Sequence, residues 1–270
     1  MSDLTKSQID KLGDRLREGT ESEDDLRLLD EFRTSFRNAL EVVINKLHEL
    51  ESLKPVIRSA KSQQSIVAKL RRQPVRLSRI QDIAGCRVVV GGPVPQDQLL
   101  DILRMWFPGS VNKVFDRRIR PSNGYRAVHF VADIEGKAVE IQIRTLFQHS
   151  WAELSEKASD LVDAEIKYGK GPKVWMEILS DLSSLIASHE EQLIRHELLK
   201  NKRNDLLAAR SAASRVEGQV DAVKEAERSL EEVMKLIEEG RRTLDAERIQ
   251  IEARYNDAKT LLPGSPEVPK

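Results

Sequence analysis

A mixed α/β (α+β) domain followed by long helices is predicted by three features of this 270-residue chain. Leu29, Phe32, Phe36, Leu40, Val43, Leu47 and Leu50 recur at helical spacing. The period falls to two in Val139-Glu140-Ile141-Gln142-Ile143-Arg144, the pattern of a strand with one buried face. Val216, Val223, Leu230, Ile237, Leu244, Ile251 and Ala258 then repeat every seven residues, the seam of a coiled coil or a long helical hairpin.

The elements follow in order. After an N-terminal helical arm over 1–24, Ser22 with Asp25 forms a capping start for one helix reaching Leu50. A second helix carries Lys61, Ser65 and Lys69 on one face and ends before Pro74. Cys86-Arg87-Val88-Val89-Val90 is β-branched and closed by Gly91-Gly92-Pro93, so it reads as a strand. An amphipathic helix from Gln96 to Phe107 is stopped by Pro108-Gly109. Strands follow near Val111–Arg118, Arg126–Asp133 and Lys137–Arg144, the last two joined by a turn at Glu135-Gly136. Thr145 caps a helix through Trp151 and Leu154. This places the mixed domain at 25–172, a helical coiled-coil region at 173–262 and a frayed tail at 263–270. Glu227, Arg241 and Arg248 spoil the second seam position, and Gly240 weakens the helix by roughly 1 kcal/mol. An antiparallel hairpin or a loose dimer is expected, with self-association or a partner protein as its use.

The charge is balanced, with 44 basic and 44 acidic residues, so no global field gathers nucleic acid or anionic membrane. A lone Cys86 excludes an internal disulfide and a multi-cysteine zinc site. The first residues lack a signal-peptide pattern, and no apolar run approaches the roughly 20 residues of a membrane span. A soluble cytoplasmic protein without membrane contact is expected.

Taken alone, Glu140, Gln142 and Arg144 read as a solvated strand face. Their neighbours suggest a site. Ser122-Asn123-Gly124-Tyr125 presents an aromatic after a flexible glycine, with His129 four residues on, and Asp82 lies just ahead of a strand. Two carboxylates from different strands can hold Mg²⁺, with phosphate oxygens and water completing the octahedron. Lysines and arginines nearby can neutralise phosphate, and an exposed tyrosine can stack on a base. This is equipment for phosphoryl or pyrophosphoryl transfer.

"SIVAKL", "DIAGCRVVV", "NGYRAVH" and "VEIQIRT" followed by "HSWAE" stand in this order between Arg58 and Lys157. With them the chain resembles the synthetase domain of the RelA/SpoT homologues, closer to the small alarmone synthetases than to the bifunctional enzymes. The resemblance implies a nucleotidyltransferase-like mixed sheet flanked by helices. It implies transfer of pyrophosphate from ATP to the 3′-hydroxyl of GDP or GTP, yielding (p)ppGpp. It further implies Asp82 and Glu140 as the Mg²⁺ ligands and catalytic pair, with Glu140 activating the hydroxyl. Arg58, Lys61, Ser65, Lys69 and Arg87 become ATP contacts. Tyr125 becomes the residue stacking on the acceptor base, with Asn123, His129 and Gln142 beside it.

Two departures bear on the acceptor and the adenine. Ser59 stands where the family usually has a second adenine-stacking arginine, with Arg58 displaced by one. Pro121 replaces the lysine that grips the acceptor's 5′-phosphates, so Arg117, Arg118 or Arg120 must compensate. A toxin branch that modifies the 3′ end of transfer RNA is therefore the rival reading, and a degenerate nucleotide- or partner-binding module is the third. None of the five histidines is followed by aspartate, so no hydrolase activity is expected.

Overall fold

The computed structural model describes residues 4–51, 53–58, 60–110, 113–216 and 218–264. The chain divides into two compact units. One takes in residues up to 91 with 95–120 and 127–146; the other takes in 92–94, 121–126 and 147 onward.

The first unit begins with α1 (Lys6–Glu18) and α2 (Glu23–Thr34), each opened by a capping box. At α2 the Ser22 hydroxyl accepts from the Asp25 amide, and the Asp25 carboxylate accepts from the Ser22 amide. Asp25 also accepts from Arg15 of α1 at 2.5 and 3.0 Å, which ties the two helices together. The Arg15 hydrogen bond, helped by Ser22, holds the Asp25 carboxyl down to about 2. A carboxyl with a depressed folded pKa contributes stability fully above about pH 4, and that contribution fades as pH falls through about 2. Asp25→Asn should therefore cost about 1 kcal/mol at neutral pH. Urea unfolding at several pH values should show the difference shrinking towards pH 2, whereas a constant difference would show that the charge of Asp25 contributes nothing.

The single helix expected from Ser22 to Leu50 is two helices. After α2 the chain bends at Ser35-Phe36, and α3 (Arg37–His48) follows. The break has a packing reason. Leu29, Phe32 and Phe36 belong to a core with α1 and the later helix α4, whereas Val43, Ile44 and Leu47 of α3 pack on the sheet. One straight helix cannot present the same stripe to both cores. Helix α1, expected as an arm, contributes Ile9, Leu12 and Leu16 to the first of these cores.

Next come β1 (Val56–Arg58), which the sequence pattern did not reveal, and α4 (Gln63–Arg72). Strand β2 (Ala84–Val90) and α5 (Pro93–Trp106) follow. Strand β3 is shorter than expected, at Val114–Asp116, and Val111 and Asn112 lie outside the described residues. Strands β4 (Val128–Ile134) and β5 (Lys137–Thr145) form a hairpin with positive φ at both Glu135 and Gly136. The five strands lie in the order β1-β2-β5-β4-β3, parallel at β2–β5 and antiparallel elsewhere. The mixed sheet with flanking helices is as predicted. One sheet face, with Cys86, Val88, Phe130, Ile141 and Ile143, is covered by α3 and α5. The other face carries the polar row.

The second unit holds a tight turn at Ser122–Tyr125, most of α6 (Leu146–Leu161), α7 (Lys173–Ala213) and α8 (Val220–Thr260). Ser122 and Tyr125 exchange backbone hydrogen bonds across Asn123 (φ 54°) and Gly124 (φ 86°), a two-residue primed turn. Gly124 is thus not a flexible hinge. A Cβ there would lie 2.9 Å from the Trp151 ring and 3.3 Å from the Leu179 carbonyl oxygen, so the position requires both positive φ and close packing.

Helices α7 and α8 form the antiparallel hairpin that was one of the two expectations, paired by Arg210–Glu227 near the connection and Ser188–Glu247 further along. Of the seven-residue series, Ile251 and Ala258 are buried, while Val216 falls in the connection. Among the described residues, no helix is long and apolar enough to cross a membrane.

Candidate active site

The polar row of β5 is not a solvated face. Gln142 is 5% exposed and Arg144 3%, and Glu140 is largely covered. Buried polar groups need partners, and here they supply one another. Arg144 donates to Gln142 Oε1 at 2.9 Å, and Gln142 Nε2 donates to Glu140 Oε2 at 2.8 Å. The other Glu140 oxygen lies 2.8 Å from His129 Nδ1 on β4.

Pairing register explains how Arg58 joins them. Arg58, Gly85 and Glu140 lie side by side on β1, β2 and β5. With no side chain on Gly85 between them, Arg58 Nη1 donates to Glu140 Oε2 at 2.9 Å. The backbones also approach closely, since a Cβ on Gly85 would lie 2.4 Å from the Glu140 carbonyl oxygen. Burial raises the Glu140 carboxyl, but the His129 hydrogen bond, attraction to His129 and Arg58, and the Gln142 amide outweigh it and hold the group below the usual range.

A second carboxylate is held similarly. Asp82, two residues ahead of β2, accepts from Lys61 Nζ at 2.7 Å and Lys69 Nζ at 2.8 Å. Burial pushes its carboxyl up, but the two ammonium groups overcome this and hold it at about 2. Lys61 does not share a helical face with Lys69, because Ser62 is the N-cap of α4 and Lys61 precedes it. Instead the Lys61 amide donates to the Ile83 carbonyl, and Arg33 of α2 donates to the Lys61 carbonyl at 2.7 Å. That anchoring brings both lysines to one acid. Arg33 was not foreseen, because its partner is a backbone oxygen and carries no sequence signal.

Among the other expected residues, Ser65 is exposed in the first turn of α4 and hydrogen-bonds Ser62. Arg87 is half-buried and pairs in register with Gln142 on the same face. Ser59 lies outside the described residues. Arg117 and Arg120 are exposed, but Arg118 is not displayed for a ligand. Its guanidinium is held by Asp116 at 2.6 Å, Asp97 at 2.7 Å and Gln96 at 3.2 Å. Asn123 and Tyr125 belong to the second unit, where the Asn123 amide packs on Gly169 and the Tyr125 ring lies 6.2 Å from that of Trp151.

Cys86 offers no nucleophile, since burial pushes its thiol up to about 12. Among the described residues, no cluster of three or more histidine, cysteine, aspartate or glutamate side chains gathers around a metal-sized space. Asp82 and Glu140 are nonetheless hard oxygen donors that stay ionised, the donor chemistry Mg²⁺ requires when phosphate oxygens complete its shell.

Residues 58–168 match the model of the "Region found in RelA / SpoT proteins". Over this stretch the chain resembles RelA/SpoT proteins. The stretch includes Asp82, Glu140 and all the cations around them except Arg33. Uncharacterized proteins of Mycobacterium bovis and Mycobacterium tuberculosis are 34% identical over 150 residues, covering 49% of this chain. The chain spans about half the length of these curated relatives, 54% in each case. Small alarmone synthetase 1 from Bacillus subtilis, solved with its product pppGpp, is 23% identical with a TM-score of 0.48. That match covers 64% of this chain and 98% of the synthetase. The same synthetase bound to AMPCPP matches at 22% identity and a TM-score of 0.40, covering 63% and 97%.

Proposed function

We propose that the RelA/SpoT region transfers pyrophosphate from ATP to the 3′-hydroxyl of GDP or GTP, making (p)ppGpp. The observation that carries this reading is the pair of ionised carboxylates inside that region, Asp82 held by Lys61 and Lys69 and Glu140 held by Arg58. Carboxylates neutralised in this way are poised to exchange their own ion pairs for those of a metal–triphosphate.

Asp82 and Glu140 would hold Mg²⁺, which supplies charge neutralisation when bound. Lys61 and Lys69 then turn from Asp82 to phosphate oxygens, beside the N-terminus of α4, whose dipole favours anions. Arg58 and Arg87 serve the ATP side. The 3′-oxygen attacks the β-phosphorus, the bond from that phosphorus to the α–β bridging oxygen breaks, and AMP leaves. Glu140 orients the hydroxyl and takes its proton, and His129 stabilises the carboxylate between turnovers.

Tyr125 stacks on the acceptor base in this reading. Tyr125→Ala should weaken the acceptor by about 1–3 kcal/mol while ATP binding holds. Titrating each substrate separately checks this, and a loss confined to ATP would contradict it.

A second reading keeps the chemistry and changes the acceptor. With Pro121 in the loop and Arg118 held by Asp97 and Asp116, Arg117 and Arg120 are the exposed ones of the three arginines expected to compensate. That sparse grip suits the 3′ end of a transfer RNA, which has no 5′-polyphosphate to hold. Offering GDP, GTP and deacylated transfer RNA together with labelled ATP decides between them. Guanosine product without RNA supports the first reading, and labelled RNA with no guanosine product replaces it with the second.

A further inference from the structure

The Ser122–Tyr125 turn is built on the helices of the second unit. Gly124 is wedged against Trp151 of α6 and Leu179 and Ser183 of α7. The next residue after Tyr125 is Arg126, whose Nε lies 3.8 Å from Glu190 Oε2. Both side chains are almost wholly covered, at 15% and 6% exposure, so each charge depends on compensation within the fold. Glu190 is fixed from α6 as well, since Gln148 Nε2 donates to its other oxygen at 2.8 Å.

Residues 188–190 also reach the opposite way. Ser188 Oγ donates to Glu247 Oε1 of α8 at 2.8 Å, and His189 Nδ1 lies 3.5 Å from Glu247 Oε2. Three consecutive residues of α7 thus join α8 on one side to the Tyr125 turn on the other.

We infer that Glu190 is a positioning residue for the acceptor turn, and that Glu247 couples the helical hairpin to it, so that the hairpin governs acceptor affinity. This rests on the proposed role of Tyr125 in binding the acceptor. A purely structural pair would alter stability and leave the two substrates equally affected. A positioning pair instead acts on one substrate.

Glu190→Gln keeps the shape and removes the charge. In the full-length chain it should raise the acceptor KM about tenfold and leave the ATP KM within about twofold. It should also speed hydrogen exchange at the Tyr125 amide by about tenfold. Arg126→Gln should do the same, and the double variant should be no worse than either single one, because both break one pair. Glu247→Gln should give a smaller change in the same direction. Unchanged Tyr125 exchange in Glu190→Gln overturns the inference, whatever the enzyme's acceptor proves to be. Faster exchange without any change in acceptor KM sustains the anchor but removes Tyr125 from acceptor binding. If Glu190→Gln does not fold, the wild type decides. Its Tyr125 amide should open together with the α7 amides around Glu190 as denaturant is raised, and opening with β4 instead overturns the inference.

Discussion

Glu140→Gln should lower pyrophosphate transfer by about three orders of magnitude, because under the proposed function it removes an ion ligand and a proton acceptor at once. The substitution keeps the side chain's size and still lets an amide oxygen accept from Arg58 or Gln142. It cannot compensate the guanidinium charge that Arg58 brings to this spot. Loss of rate should therefore far exceed loss of stability. Single-turnover rates on labelled ATP, compared with urea unfolding of the same protein, measure both. A variant that turns over at close to the wild-type rate would show that Glu140 only balances charge.

Gly85→Ala should be the most damaging single methyl in the sheet. Its Cβ would meet the Glu140 carbonyl oxygen at 2.4 Å, and that contact is backbone, so no rotamer change relieves it. Either the parallel β2–β5 pairing moves or the strands strain, at a cost of about 3 kcal/mol. The methyl also enters the gap through which Arg58 reaches Glu140. Stability and transfer should fall together, unlike in Glu140→Gln, where they separate. Normal stability together with normal transfer in Gly85→Ala would mean that the gap is not needed.

Much of the fold was legible because its signals are local. The alternation in β5, the β-branched run of β2, the Glu135-Gly136 turn and the stop at Pro108-Gly109 each act within a few residues. Strand β1 was hidden because three residues on an edge carry too little pattern. The break at Ser35-Phe36 was hidden because it arises from two cores competing for one apolar stripe, with no proline or glycine to mark it. Sequence placed Asp82, Glu140, Lys61 and Lys69 in one neighbourhood through their motifs. It could not show that both lysines grip Asp82 or that His129 lies on Glu140, since those pairings join residues 11 to 21 positions apart. Arg118 illustrates the opposite failure. An arginine beside a binding loop looks available until the fold supplies Asp97 and Asp116. Gly85 carried a signal that went unused, for a glycine inside a strand marks close backbone approach.

Pyrophosphate transfer requires that a two-phosphate unit move intact. ATP labelled at the β-phosphate, incubated with the protein, Mg²⁺ and GDP or GTP, tests it directly. Label should appear on the 3′ side of the guanosine nucleotide in step with release of unlabelled AMP, and neither should form with Glu140→Gln. Labelled ADP as the leaving product, with no label on the acceptor, would contradict it.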